Sequence, residues 1–147
     1  MNKQETIEAI EHARKAHIEQ MDKIKLLIEG KHVDNLTPVL KTKCAFGHWL
    51  YGDKKSIKNI LGVQFYDNLD AVHEEWHIQY AKIYAIFADE KEERFFSKLF
   101  KMHKIDELEM EKAKVYYKDL EEITKNLLRA LDASERRVQA LSPSKFH

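Results

Sequence analysis

Cysteine is almost absent from this chain. One thiol in 147 residues excludes an internal disulfide framework and leaves Cys44 available for a metal or for redox chemistry. Glycine and proline are also scarce, at 4 and 2, and a chain so poor in turn formers is ill suited to short strands and tight hairpins. Net charge is missing too. The 25 Lys and Arg balance 25 Asp and Glu, with the signs interspersed, so there is neither a basic face for nucleic acid nor a polybasic block for a membrane surface. Every apolar run is broken by charge before the roughly 18 residues that a spanning helix requires. The opening Met1-Asn2-Lys3-Gln4-Glu5 lacks the apolar core of a signal peptide. Together these absences predict a cytoplasmic chain without nucleic-acid or membrane partners.

What is plentiful is charge, at 34%, set among Leu, Ile, Ala, Lys and Glu in a composition typical of helices. The length suits one domain with its own core, expected over residues 1–141, with a disordered tail at 142–147. Over residues 4–29 the apolar positions Ile7, Ile10, Met21, Ile24 and Ile28 recur at helical spacings, and Gly30 ends the pattern. His17 falls on that buried stripe, four residues before Met21, whereas His12 lies among Glu8, Lys15 and Glu19 and is expected to face water. Thr37-Pro38 reads as the cap and first turn of a short helix reaching about residue 51. That helix contains Cys44-Ala45-Phe46-Gly47-His48-Trp49, with Cys44, Phe46 and Trp49 inward. Gly47 inside a helix costs about 1 kcal/mol relative to alanine and marks a place where another group approaches closely. His48 is expected to be exposed, its nearness to Cys44 leaving it a secondary candidate ligand.

A further helical turn is expected at residues 57–61, stopped by Gly62. The next long segment, residues 63–87, carries the stripe Phe65, Leu69, Val72, Trp76, Tyr80, Ile83 and Phe87, with His73 and His77 beside it. A last segment runs from about residue 92 to residue 131 or 141, with no Gly or Pro to break it before Pro143. Three long amphipathic segments and a shorter one predict an all-α, antiparallel four-helix bundle with a short extra helix carrying the cysteine.

The chemistry centres on His73-Glu74-Glu75-Trp76-His77. Two histidines four residues apart stand on one helix face and can share a metal ion. The same letters match the H-E-x-x-H motif of zinc peptidases, where the glutamate acts as general base. The other inward candidates decide between these readings. His17, Cys44, His73 and His77 make a set of three imidazoles and one thiolate, which zinc accepts tetrahedrally. With all four positions filled by protein, no site remains for substrate or an activated water, which argues for structure or sensing over catalysis.

The residues His17, Cys44-Ala45-Phe46-Gly47-His48-Trp49 and His73-x-x-x-His77, with separations of 27 and 29 residues, resemble the pattern of the CZB domain, the chemoreceptor zinc-binding domain of bacterial signalling proteins. The resemblance spans roughly residues 4–131. It implies a helical bundle that often dimerises and holds one Zn through His17, Cys44, His73 and His77. It also implies a role beside a chemoreceptor or diguanylate cyclase, in chemotaxis or cyclic-di-GMP signalling, as a zinc sensor or, through Cys44, an oxidant sensor. It implies no enzymatic activity.

Two alternatives use the same residues differently. A metzincin peptidase would need a glycine and a histidine where this chain has Tyr80 and Ile83. A hemerythrin-like di-iron bundle needs several histidines with carboxylates; His103 and Glu107 offer such a pair, but Cys44 would then be idle.

Overall fold

The computed structural model describes residues 1–88 and 105–146. These residues fold as five α-helices, α1 (Lys3–Ile28), α2 (Ala45–Gly52), α3 (Lys54–Leu61), α4 (Val63–Phe87) and α5 (Glu107–Ala140), followed by a 3-10 turn at Pro143–Lys145. No strand occurs among the described residues, so the expected all-α class is observed. Along the body of the molecule α5 packs against both α4 and α1, while α2 lies on α1 and α3 on α4.

Local chemistry sets the ends of these helices. Asn2 opens α1 with a capping box: its Oδ1 accepts from the Glu5 amide at 2.8 Å, and the Glu5 carboxylate accepts from the Asn2 amide at 3.0 Å. Gly30 adopts φ +84° just beyond the helix end, a conformation that glycine tolerates without a Cβ penalty. Asp106 caps α5 through the Glu109 amide at 2.7 Å. That cap interrupts the continuous last segment expected from residue 92, because an extended Asp106 (ψ 168°) cannot lie inside a helix. The part of that segment at residues 92–104 lies outside the described residues.

Two further expectations differ from the structure. Thr37-Pro38 does not start a helix; α2 begins at Ala45, with Cys44 as its N-cap. In the segment before it, backbone groups are taken by distant side chains. The Thr37 amide donates to Gln20 Oε1 at 2.9 Å, and the Thr37 carbonyl accepts from Tyr80 Oη at 2.7 Å. The Val39 carbonyl accepts from His77 Nδ1 at 2.9 Å. Those partners replace the local bonds a helix would have made. At the other end, where a disordered tail was expected from residue 142, residues 142–146 form a turn and Phe146 is only 8% exposed. Lys3 holds this end by donating to the Gln139 and Leu141 carbonyls at 2.8 and 2.9 Å, which satisfies acceptors left open at the end of α5.

The buried face of α4 comprises Tyr66, Leu69, His73, Trp76, His77, Gln79, Tyr80 and Ile83. It keeps Leu69, Trp76, Tyr80 and Ile83 of the expected stripe but is shifted toward Tyr66, His73 and His77, leaving Phe65, Val72 and Phe87 only partly buried. The shift puts both histidines inside the core. Tyr66 is affordable there because its hydroxyl donates to the Leu50 carbonyl at 2.9 Å, and Trp76 because its Nε1 donates to Thr124 Oγ1 at 2.9 Å.

Candidate metal centre

Three helices converge on one point. α1 supplies His17, α4 supplies His73 and His77, and the N-terminus of α2 supplies Cys44; all four side chains are buried. The ligand atoms of His17, His73 and His77 lie within 4.8 Å of one another. Cys44 Sγ joins through His73, 3.4 Å from its Nε2. A thiolate sulfur and an imidazole nitrogen on one tetrahedral zinc lie about 3.5 Å apart, given bonds of about 2.3 and 2.0 Å. The observed spacing is close to that.

Each imidazole is oriented from outside the cluster. His17 Nδ1 donates to the Ala13 carbonyl at 2.8 Å, one turn back on α1. His77 Nδ1 donates to the Val39 carbonyl. Both therefore carry their proton on Nδ1 and present a bare Nε2 lone pair inward. His77 Nε2 is buried without a hydrogen-bond partner, a costly state for a polar atom unless something else takes its lone pair. A metal cation is such a partner, and this orphaned nitrogen is the clearest sign that the donor set fits zinc.

Electrostatics prepare the imidazoles for a cation without a proton to displace. Burial, reinforced by His77, His17 and Lys41, lowers the His73 pKa to about 2. Burial lowers His77 to about 4 against the opposing Val39 bond, with His17 and Lys41 contributing. His17 is lowered by burial as well, its bond to Ala13 acting in the other direction. The thiol behaves oppositely: burial raises the Cys44 pKa, and backbone amides, Gly47 first, only partly counter it. Its sulfur accepts from the Gly47 amide at 3.2 Å as the N-cap of α2 and lies 3.4 Å from the Lys41 carbonyl.

The residues around Cys44 explain one another. A Cβ on Gly47 would run into the Lys41 carbonyl and stand 3.2 Å from Thr42 Cα, so the close approach expected at Gly47 is by backbone. Phe46 meets His73 edge-on at 4.8 Å between ring centres and stacks on Trp49 at 5.8 Å. Trp76 closes the other side, 4.8 Å from His17. An open cleft of about 340 Å³ reaches His17 and Cys44 between α1 and residues 35–38.

The remaining candidates fall away from the cluster. His12 and His48 are exposed, and the exposed His32 pairs with Asp34 at 2.8 Å. His103 and His147 lie outside the described residues. Glu74 is exposed, 3.6 Å from Lys41. Sequence reasoning missed Tyr51, Asp70 and Lys41. Tyr51 Oη lies 2.6 Å from Asp70 Oδ1 and 3.2 Å from His73 Nδ1, while Lys41 Nζ reaches Asp70 at 3.0 Å. Spacing offered a faint signal only: Asp70 precedes His73 by one helical turn, and Tyr51 follows Cys44 by two.

Fold and cluster together define an all-helical protein with a buried three-histidine, one-cysteine constellation. Residues 17–84 match the model of the CZB family, the chemoreceptor zinc-binding domain. The likeness is confined to that segment, a little under half of the chain. The match is shorter than the span of residues 4–131 expected from the motifs, yet it encloses all four candidate ligands. No curated protein and no solved structure matches the chain. Among the described residues no helix is long and apolar enough to cross a membrane.

Proposed function

We propose that this chain is a zinc-binding regulatory domain of bacterial signal transduction, of the chemotaxis or cyclic-di-GMP type, holding one zinc through His17, Cys44, His73 and His77. The observation that carries this reading is the set of inward Nε2 atoms, above all the buried and unpartnered His77 Nε2, beside the Cys44 sulfur. Four protein donors fill a tetrahedral ion, so the bound metal supplies cross-linking and charge rather than an activated water, and the domain is not an enzyme. We read the helices as an antiparallel four-helix bundle, with α2 as the short extra helix, that works in the cytoplasm as a homodimer alongside a chemoreceptor or diguanylate cyclase.

Signalling follows from what holds α2 in place. Its N-cap is itself a ligand, so loss of zinc, or oxidation of the Cys44 thiolate, removes the link between α2 and the histidines of α1 and α4. Three imidazoles would hold the ion less tightly, and the freed α2 is the change that a partner or the second copy reads. The cleft at His17 and Cys44 gives an oxidant its route.

Elemental analysis of purified protein tests the assignment: one zinc per chain and no visible colour support it, whereas two irons with visible absorbance establish the di-iron alternative. Cys44→Ala lowers zinc affinity by orders of magnitude, and an unchanged affinity removes Cys44 from the site. Hydrogen exchange tests the coupling. Protection over residues 42–51 rises with zinc, and identical protection with and without it defeats the mechanism.

A further inference from the structure

His73 differs from the other two imidazoles in what orients it. His17 and His77 are fixed by backbone carbonyls, those of Ala13 and Val39. His73 is fixed only by side chains, through Tyr51 Oη at 3.2 Å, which in turn lies 2.6 Å from Asp70 Oδ1. A tyrosine hydroxyl has one proton to give. The ionised Asp70 carboxylate is an acceptor only and is held on its other side by Lys41 Nζ at 3.0 Å, so the Tyr51 proton goes to Asp70. The Tyr51 oxygen is then left to accept, and the hydrogen on His73 must sit on Nδ1. That leaves Nε2 bare, facing Cys44 Sγ at 3.4 Å.

The placement of the two α2 residues makes this more than a local hydrogen bond. Cys44 and Tyr51 are seven residues apart, two helical turns on one face, so α2 grips the His73 ring at both nitrogens, from its N-cap and from its last turn. We infer that Tyr51 and Asp70 are positioning residues of the metal site, a carboxylate–tyrosine chain that sets the His73 tautomer and thereby tunes metal affinity through α2. The inference rests on the zinc reading of the cluster. It goes beyond that reading in assigning roles to two side chains that touch no metal. Outer partners of this kind are worth about 10- to 100-fold in affinity at metal–histidine sites.

The test uses the full chain and two readouts. Long-range proton–nitrogen spectra of the metal-free protein report the tautomer of each histidine, and competition with a chromophoric chelator reports zinc affinity. In the unaltered protein His73 is the Nδ1–H tautomer. Tyr51→Phe keeps the ring and removes the hydroxyl; His73 becomes a mixture of tautomers, His17 and His77 are unchanged, and zinc affinity falls about 10- to 100-fold. Asp70→Ala frees the Tyr51 proton to donate to His73 Nδ1, which drives His73 toward the Nε2–H form that cannot ligate. The double variant binds zinc no worse than the weaker single variant, because both interrupt one chain. A His73 tautomer unchanged in both variants, or an affinity for Tyr51→Phe within about twofold of the original, overturns the inference. If the unaltered protein takes up no zinc, the proposed function fails, and the tautomer spectra still decide the roles of Tyr51 and Asp70.

Discussion

The protons released when zinc enters the cluster provide a quantitative check on its electrostatics. Four ordinary side chains, three imidazoles of pKa about 6.5 and a thiol of about 8.5, would together lose roughly 2.5 protons to a metal at pH 6.5, half of one from each half-charged imidazole and one from the thiol. This cluster starts from another state. Burial, with repulsion from neighbouring charges, holds His73 near 2 and His77 near 4, and burial also lowers His17, so at pH 6.5 His73 and His77 are neutral and the neutral form of His17 is favoured. Burial raises Cys44, so its thiol is fully protonated. Zinc binding should therefore release about one proton, all of it from Cys44, and apparent affinity should climb about tenfold per pH unit around pH 6.5. Calorimetric titration at that pH, in buffers of differing ionisation enthalpy, gives the number directly. Cys44→Ala should reduce it to about zero while leaving the histidines as they were. A release near 2.5 protons, or one that persists in Cys44→Ala, would refute the picture of pre-neutralised imidazoles.

Other consequences are open to simpler measurements. Gly47→Ala drives a methyl into the Lys41 carbonyl and should cost about 1–3 kcal/mol, read as a lower denaturation midpoint; an unchanged midpoint would mean the two backbones are not in contact. The metal-free protein should lose stability as pH falls from about 6.5 toward 4. In that interval the unfolded chain protonates histidines near their ordinary value of about 6.5, while folded His77 waits until about 4 and His73 until about 2. Stability is thus complete above 6.5 and declines below it, and urea midpoints that stay level from pH 7.5 to 5 would contradict this. Glu74→Gln should leave zinc affinity within about twofold, since a 3.6 Å pair with an exposed carboxylate such as Glu74–Lys41 contributes little; a larger loss would return Glu74 to the site.

How much of the site was legible in the chain depended on whether an imidazole's partners were close in sequence. The inward placement of His17 followed from the spacing of Ile10, Met21 and Ile24 on α1, because a helix stripe is a local property. The pairing of His73 with His77 followed equally from one helical turn. Their depth did not. The expected stripe put Phe65 and Val72 in the core of α4 with the histidines beside it, whereas Tyr66, His73 and His77 are the residues fully buried there. They can do so because the Leu50 carbonyl, Tyr51 and the Val39 carbonyl satisfy their polar atoms, and none of those partners is near in sequence.

The segment before Cys44 shows the same limit more sharply. Thr37-Pro38 carries the residues of a helix start, yet the chain stays out of helix until Ala45. Local propensity there amounts to about 1 kcal/mol for a cap. Against it stand three hydrogen bonds to the backbone of residues 37 and 39, one that Gln20 accepts and two that Tyr80 and His77 donate, each worth about 1 kcal/mol, and losing either of the last two leaves a buried side chain unpaired. Three such bonds outweigh one cap. They also serve the cluster, because a helix begun at Pro38 would withdraw the Val39 carbonyl from His77. By starting at Ala45 instead, α2 makes Cys44 its N-cap, so the sulfur that helps stabilise the helix start is the one that faces His73. The late start of α2 and the place of Cys44 beside the histidines are therefore one structural fact, and, with zinc bound as proposed, its removal should be felt first at the beginning of that helix.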